Sequence, residues 1–112
     1  MEKFIKGDVV ILPFLFSNLK GSKRRPTLVL ADLKGDDIIL CQITSQPTKD
    51  NLSVPLLTSD FSSETLPVNS FIRPTRIFTA DKNIILGKAG IVKQLVADLA
   101  VNIIVDLLTE KH

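Results

Sequence analysis

Apolar and polar positions alternate in short bursts over most of the chain, and the period changes once, near its end. Gly7-Asp8 opens a first strand over residues 9–14, and Pro13 ends that strand or sets it at a sheet edge. A second strand covers residues 27–31, and Lys34-Gly35-Asp36-Asp37 is a turn. The third strand spans residues 38–44. Strand side chains alternate between faces, so Ile39, Cys41 and Ile43 point to the core and Leu40, Gln42 and Thr44 point the other way. That second face turns polar towards its end, and Ser45-Gln46-Pro47 continues the polar run and stops the strand. Residues 52–57 form a short strand interrupted by Pro55, hence an edge. Residues 58–67 are polar and turn-like, with one helical turn over 59–62. Residues 70–79 form a strand that Pro74 bends or bulges between Arg73 and Arg76, and residues 83–88 form a last short strand.

Beyond that point Val92, Leu95, Val96, Leu99, Ala100, Ile103, Ile104 and Leu107 recur at helical spacing, predicting a helix over residues 92–108. Ala97, Val101 and Leu108 widen its apolar arc to roughly half the circumference, more than the ordinary ~100° stripe. Gln94, Asp98, Asn102 and Asp106 form a narrow polar strip. One side of such a helix packs on the sheet. The other side either takes a second copy of the chain or is tucked into its own domain. About six strands followed by one helix make a mainly β (α+β) domain: a small barrel or curled sheet capped by a helix.

Composition narrows the picture. The 112 residues suffice for one domain, and 45% apolar content builds a core without metal or disulfide support. All six aromatics are Phe, so Ile, Leu and Val make up most of that core. The single Cys41 cannot form an internal disulfide, which points to a reducing, cytoplasmic setting. The amino terminus has no signal-peptide pattern and no apolar run approaches the ~20 residues of a membrane helix, so no membrane partner is expected. A net charge of +2 says little about nucleic acid; clustering matters more.

The charge clusters in Lys20-Gly21-Ser22-Lys23-Arg24-Arg25-Pro26, read as the end of a loop over residues 15–24 with Phe14 and Phe16 at its base. Pro26 pushes Arg25 towards extended geometry at the mouth of the second strand. An arginine so held can grip a phosphate, although the same stretch also reads as a solvated turn with ordinary surface charge. His112 is the only histidine and lies at the chain end, which removes His-dependent triads and paired-histidine RNA cleavage. Cys41 with one terminal His makes no usual zinc site, Asp36-Asp37 is a weak metal candidate, and no Gly-rich phosphate loop opens a helix. Arginine and hydroxyl chemistry remains. Arg25, Arg73 and Arg76 can neutralise charge on a phosphodiester, and Thr44 or Ser45 can hydrogen-bond it. RNA carries its own nucleophile, the 2′-hydroxyl, so this residue set suits RNA transesterification better than DNA hydrolysis.

Gly7-Asp8-Val9-Val10, residues 23–30 (Lys-Arg-Arg-Pro-Thr-Leu-Val-Leu), Ile43-Thr44-Ser45-Gln46, Asn69-Ser70 and Arg76-Ile77, in this order and with the closing helix, resemble the MazF/PemK family of toxin endoribonucleases. The resemblance covers nearly the whole chain. It implies an SH3-like barrel with a C-terminal helix, a homodimer, and metal- and cofactor-free cleavage of single-stranded RNA to a 2′,3′-cyclic phosphate and a 5′-hydroxyl. It implies catalysis by Arg25 and Thr44, with Lys23, Arg24, Ser45, Gln46, Ser70 and Arg76 as RNA contacts. It further implies a cognate antitoxin whose acidic tail fills the RNA groove, and contact with DNA only through that antitoxin. Two other readings stay open: a small-barrel module that binds RNA or peptide without reaction, and a gyrase-directed poison of the same fold. The absence of Trp from the chain end weighs against the latter.

Overall fold

The computed structural model describes residues 3–15, 22–49 and 51–110. Among the described residues seven strands form one sheet: β1 (Asp8–Leu15), β2 (Ser22–Asp32), β3 (Asp37–Thr44), β4 (Val54–Leu56), β5 (Phe61–Glu64), β6 (Ser70–Asp81) and β7 (Gly87–Val92). The helix α1 (Gln94–Thr109) closes the chain. The strand order is β4-β6-β3-β2-β1-β7-β5, and every pairing is antiparallel. β4 and β5 are therefore the sheet's edges, and the exposed Pro55 sits on one of them as its missing N–H requires.

Both faces of the curled sheet carry an apolar cluster. Val9, Leu28, Cys41, Ile43, Val54, Leu56, Phe61, Ile72 and Val92, drawn from all seven strands, meet in one cluster with Ala97 and Ala100 of α1. This is the inner face. The alanines let the helix lie close, and Val96 and Ile103 flank them. Each fully buried Leu or Ile here contributes about 1.5–3 kcal/mol of burial. Phe4, Val10, Leu12, Val29, Ile38 and Leu40 form a second cluster on the outer face, with Phe78, Ala80 and Ile85 packed against it. The expected core set of β3 is thereby corrected: Leu40 and Ile38 are fully buried on the outer face, while Ile39 is only half-buried. A polar network pins the segments that cover this face. Asp32 accepts from Phe4 N at 3.2 Å and pairs with Lys82, whose Nζ also donates to the carbonyls of Leu33 (2.7 Å) and Gly35 (2.8 Å). The hydrogen bond from Lys82 holds the Asp32 carboxyl below its usual range.

Gly7 turns the chain into β1 with φ +101°, where a side chain would be strained; its N–H donates to Val29 O and its carbonyl accepts from Val92 N, both at 3.0 Å. Asp8 is 1% exposed; its Oδ2 accepts from Ile5 N at 3.0 Å and lies 3.3 Å from Lys88 Nζ.

Four further expectations change. β2 begins at Ser22, so Lys23 and Arg24 belong to a strand rather than a loop and Arg25 lies within the strand rather than at its mouth; Leu15 belongs to β1, and Phe16, Lys20 and Gly21 lie outside the described residues, as does His112. β5 replaces part of the turn-like stretch; only Phe61 of its four residues is buried, so no alternation marks it. A 3-10 turn over Lys82–Ile84, capped by Asp81 accepting from Asn83 N, displaces the last strand to Gly87–Val92. Its Gly90 hid it from the pattern, yet Gly90 is needed: a Cβ there would stand 3.0 Å from the Phe61 ring and from Ser63 O. The helix starts two residues later than expected because Val92 ends β7. The bend in β6 stands where Pro74 put it. Gln42 pairs with Arg73 and Cys41 with Ile77, so residues 74–76 leave the ladder. Among the described residues no helix is long and apolar enough to cross a membrane.

Candidate nucleic-acid interface

Arg25 stands opposite Leu12 in the β1–β2 ladder, and Leu12 is buried in the outer cluster, so Arg25 is on the outer face. The next pair is Ile11 with Pro26. The Ile11 carbonyl turns away from β2 to accept from Leu86 N at 2.8 Å, so the missing N–H of Pro26 faces β3, where the ladder starts only at Thr27. By the same alternation Pro13 faces the β7 side, past the last β1–β7 pair at Ile11 and Gly87. Both prolines sit where a ladder has run out, and Pro13 is at a local edge as its sequence context required.

Thr44 pairs with Phe71 on β6, next to the inner pair Ile43–Ile72, so Thr44 is also on the outer face. The last β2–β3 pair is Thr27 with Gln42. Two residues further along each strand come Arg25 and Thr44, on one face at one end of the sheet. Both are half-buried. Thr44 Oγ1 accepts a hydrogen bond from Gln46 N at 3.1 Å, which leaves the hydroxyl proton to donate outward.

Two cavities flank this end. The first, of about 260 Å³, is lined by Lys23, Arg24, Arg25, Pro26, Ser45 and Ser70, together with Ile11, Ile43 and the segment Leu66-Pro67-Val68. The second, of about 300 Å³, is lined by Gln42, Arg76, Ile77 and Phe78. The fold thus brings Lys23, Arg24, Arg25, Ser45 and Ser70 together and holds Arg76 apart with Gln42. Gln46 is exposed beside Thr44. Ser70 is 3% exposed and its hydroxyl donates to Val68 O at 3.1 Å, so it shapes the cavity wall. Strand alternation alone places Gln42 on the Thr44 face but does not mark it as part of a site. It gave no sign of Leu66-Pro67-Val68, whose place depends on long-range packing.

Cys41 lies under this end of β3. Burial pushes its thiol up to about 12, which keeps it protonated at neutral pH and unsuited to nucleophilic attack. Among the described residues no group of three His, Cys, Asp or Glu gathers as metal ligands would.

No protein-family model and no curated protein matches the sequence. Solved structures do match the fold. A mycobacterial endoribonuclease in complex with its cognate antitoxin superposes with TM-score 0.75 at 15% identity, covering 98% of this chain and 99% of that one. The MazE–MazF complex from Deinococcus radiodurans gives TM-score 0.74 at 20% identity, covering 95% and 96%. The Mycobacterium tuberculosis toxin MazF-mt6 gives 0.70 at 14% identity, covering 94% and 99%. The chain therefore has the MazF-type fold over nearly its whole length.

Proposed function

We propose that this protein is a MazF-type toxin endoribonuclease that cuts single-stranded RNA in the cytoplasm and is restrained by a cognate antitoxin. The observation that carries the reading is the shared outer-face position of Arg25 and Thr44 at one open end of the β2–β3 pair. The fold neighbours named as endoribonucleases and as a toxin–antitoxin complex support it from a second side.

The chemistry follows from those two groups. The substrate's 2′-oxygen attacks the adjacent phosphorus, the bond to the 5′-oxygen breaks, and the proton lost from the 2′-hydroxyl is balanced by one gained at the 5′-oxygen. The products are a 2′,3′-cyclic phosphate and a 5′-hydroxyl. Negative charge builds on the non-bridging oxygens as attack proceeds. The Arg25 guanidinium neutralises it with a planar pair of donors. The Thr44 hydroxyl, oriented by Gln46 N, donates to the same phosphate and fixes its angle. Lys23 and Arg24 steer the RNA backbone, and Ser45, Gln46, Ser70 and Arg76 line its path. The chemistry asks for no metal.

The helix supplies the partner surface. Leu95 is 81% exposed and Leu99 49%, on the side of the helix away from Ala97 and Ala100. A second copy covering these positions makes the homodimer. An antitoxin with an acidic tail binds against the Lys23–Arg25 segment.

The test is cleavage of a diverse RNA pool in chelator-containing buffer. Fragments ending in a 2′,3′-cyclic phosphate from wild type, and at least about 100-fold less from Arg25→Ala, support the reading. Intact RNA with wild type, or equal cutting by both proteins, sinks it.

A further inference from the structure

We infer that Gln42, with Phe78 and Arg76, forms a base-reading subsite that takes an adenine next to the phosphodiester at Arg25 and Thr44; this rests on the endoribonuclease reading above. The subsite is the cavity of about 300 Å³ on β3 and β6, at the lower end of the ~300–1,000 Å³ that hold small ligands. It exists because β6 bulges: residues 74–76 leave the ladder between the pairs Gln42–Arg73 and Cys41–Ile77, which opens the surface beside Gln42 and carries Arg76 to the rim. Phe78 pairs with Leu40 and packs on the outer cluster, so its ring is held from beneath while one side stays half-exposed.

The subsite and the proposed reaction centre share the outer face. Gln42 precedes Thr44 by two residues on β3, about 7 Å at strand rise, a step on the scale of one nucleotide. A base attached beside the reacting phosphate therefore reaches this cavity.

The residue types select the base. A glutamine amide presents a donor and an acceptor side by side, which complements the N6 amino group and N7 of adenine; guanine offers two acceptors on that edge and lacks the donor. Unpaired RNA bases stack on aromatic side chains, and a purine covers the Phe78 ring more fully than a pyrimidine. Arg76, exposed at the rim, meets the neighbouring phosphate.

The experiment sequences the cut ends of a randomised RNA pool for wild type, Gln42→Leu and Phe78→Ala, with thermal melts to show that each variant is folded. Wild type is expected to enrich adenine about tenfold or more at one position flanking the cut, and Gln42→Leu to flatten that position alone. An unchanged profile in Gln42→Leu, or enrichment of another base there, overturns the inference and leaves the nuclease reading intact. Should wild type cut no RNA, the nuclease reading fails, and affinity for adenine-only against uracil-only hexamers decides the subsite. An adenine preference abolished by Gln42→Leu keeps it, and equal affinities remove it.

Discussion

Thr27 and Gln42 stand opposite each other as the last pair of the β2–β3 ladder, and this pairing sets the direction of the residues beyond it. Thr27 is fully buried and its hydroxyl donates to Val10 O at 3.3 Å, so the register cannot slip without unburying a polar group or flipping Leu28 out of the core. With the register fixed, Arg25 and Thr44 follow on the same face. Pro26 ends the ladder there and leaves the strand ends open to a ligand.

The guanidinium of Arg25 is expected to matter by its shape as well as its charge. Arg25→Lys retains charge and loses the planar donor pair, so RNA cleavage should fall about 10- to 100-fold, between wild type and Arg25→Ala. Melting temperatures of both variants should stay within a few degrees of wild type. Initial rates on one RNA under chelator, with melts in parallel, check this.

Thr44 is expected to act through its hydroxyl. Thr44→Ser should retain activity within a few-fold, and Thr44→Val should lose about 100-fold, the scale of one lost transition-state donor. Wild-type rates with Thr44→Val would show that the hydroxyl is idle.

Cys41 is fully buried in the inner cluster, so an aromatic disulfide reagent should label it only at the rate of unfolding. The pH dependence has a definite sign. The unfolded thiol ionises near ~8.5 and the folded one near about 12, so its contribution is fully present below that lower value. Stability should decline from about pH 8.5 upward, and Cys41→Ala should remove that part of the decline. Urea melts of both proteins between neutral and alkaline pH measure it.

Gly90 lies between β1 and β5 with the Phe61 ring against it. Gly90→Ala should cost about 1–3 kcal/mol by pushing Phe61 and the edge strand outward. A thermal melt reads this as a drop of several degrees. An unchanged melt would mean that β5 yields freely.

Much of this fold is legible because strand alternation and helical periodicity are strong local signals. The 43–44 step, inner Ile then outer Thr, is visible in the sequence, and so is the bulge at Pro74. β5 and β7 escape because their evidence is not local. Phe61-Ser-Ser-Glu64 carries one apolar residue, and β7 carries glycines at its first and fourth positions. Long-range pairing makes strands of them: β7 lies between β1 and β5, and Phe61 of β5 packs on Gly90. The run Ile84-Ile85-Leu86 looks like a strand yet stays largely on the surface, with Ile84 44% and Leu86 52% exposed. At the candidate site the Arg-Pro joint and the polar end of β3 are readable from residue types. That they meet depends on a ladder between segments some fifteen residues apart, which supplies Gln42 as well.

The most direct measurement is a double-mutant cycle on RNA cleavage with Arg25→Ala, Thr44→Val and the combined variant. Two groups acting on one phosphate are coupled, so the combined loss should fall well short of the product of the two single losses. Losses that multiply as independent factors, or a single variant cutting at the wild-type rate, would contradict a shared phosphodiester site at Arg25 and Thr44.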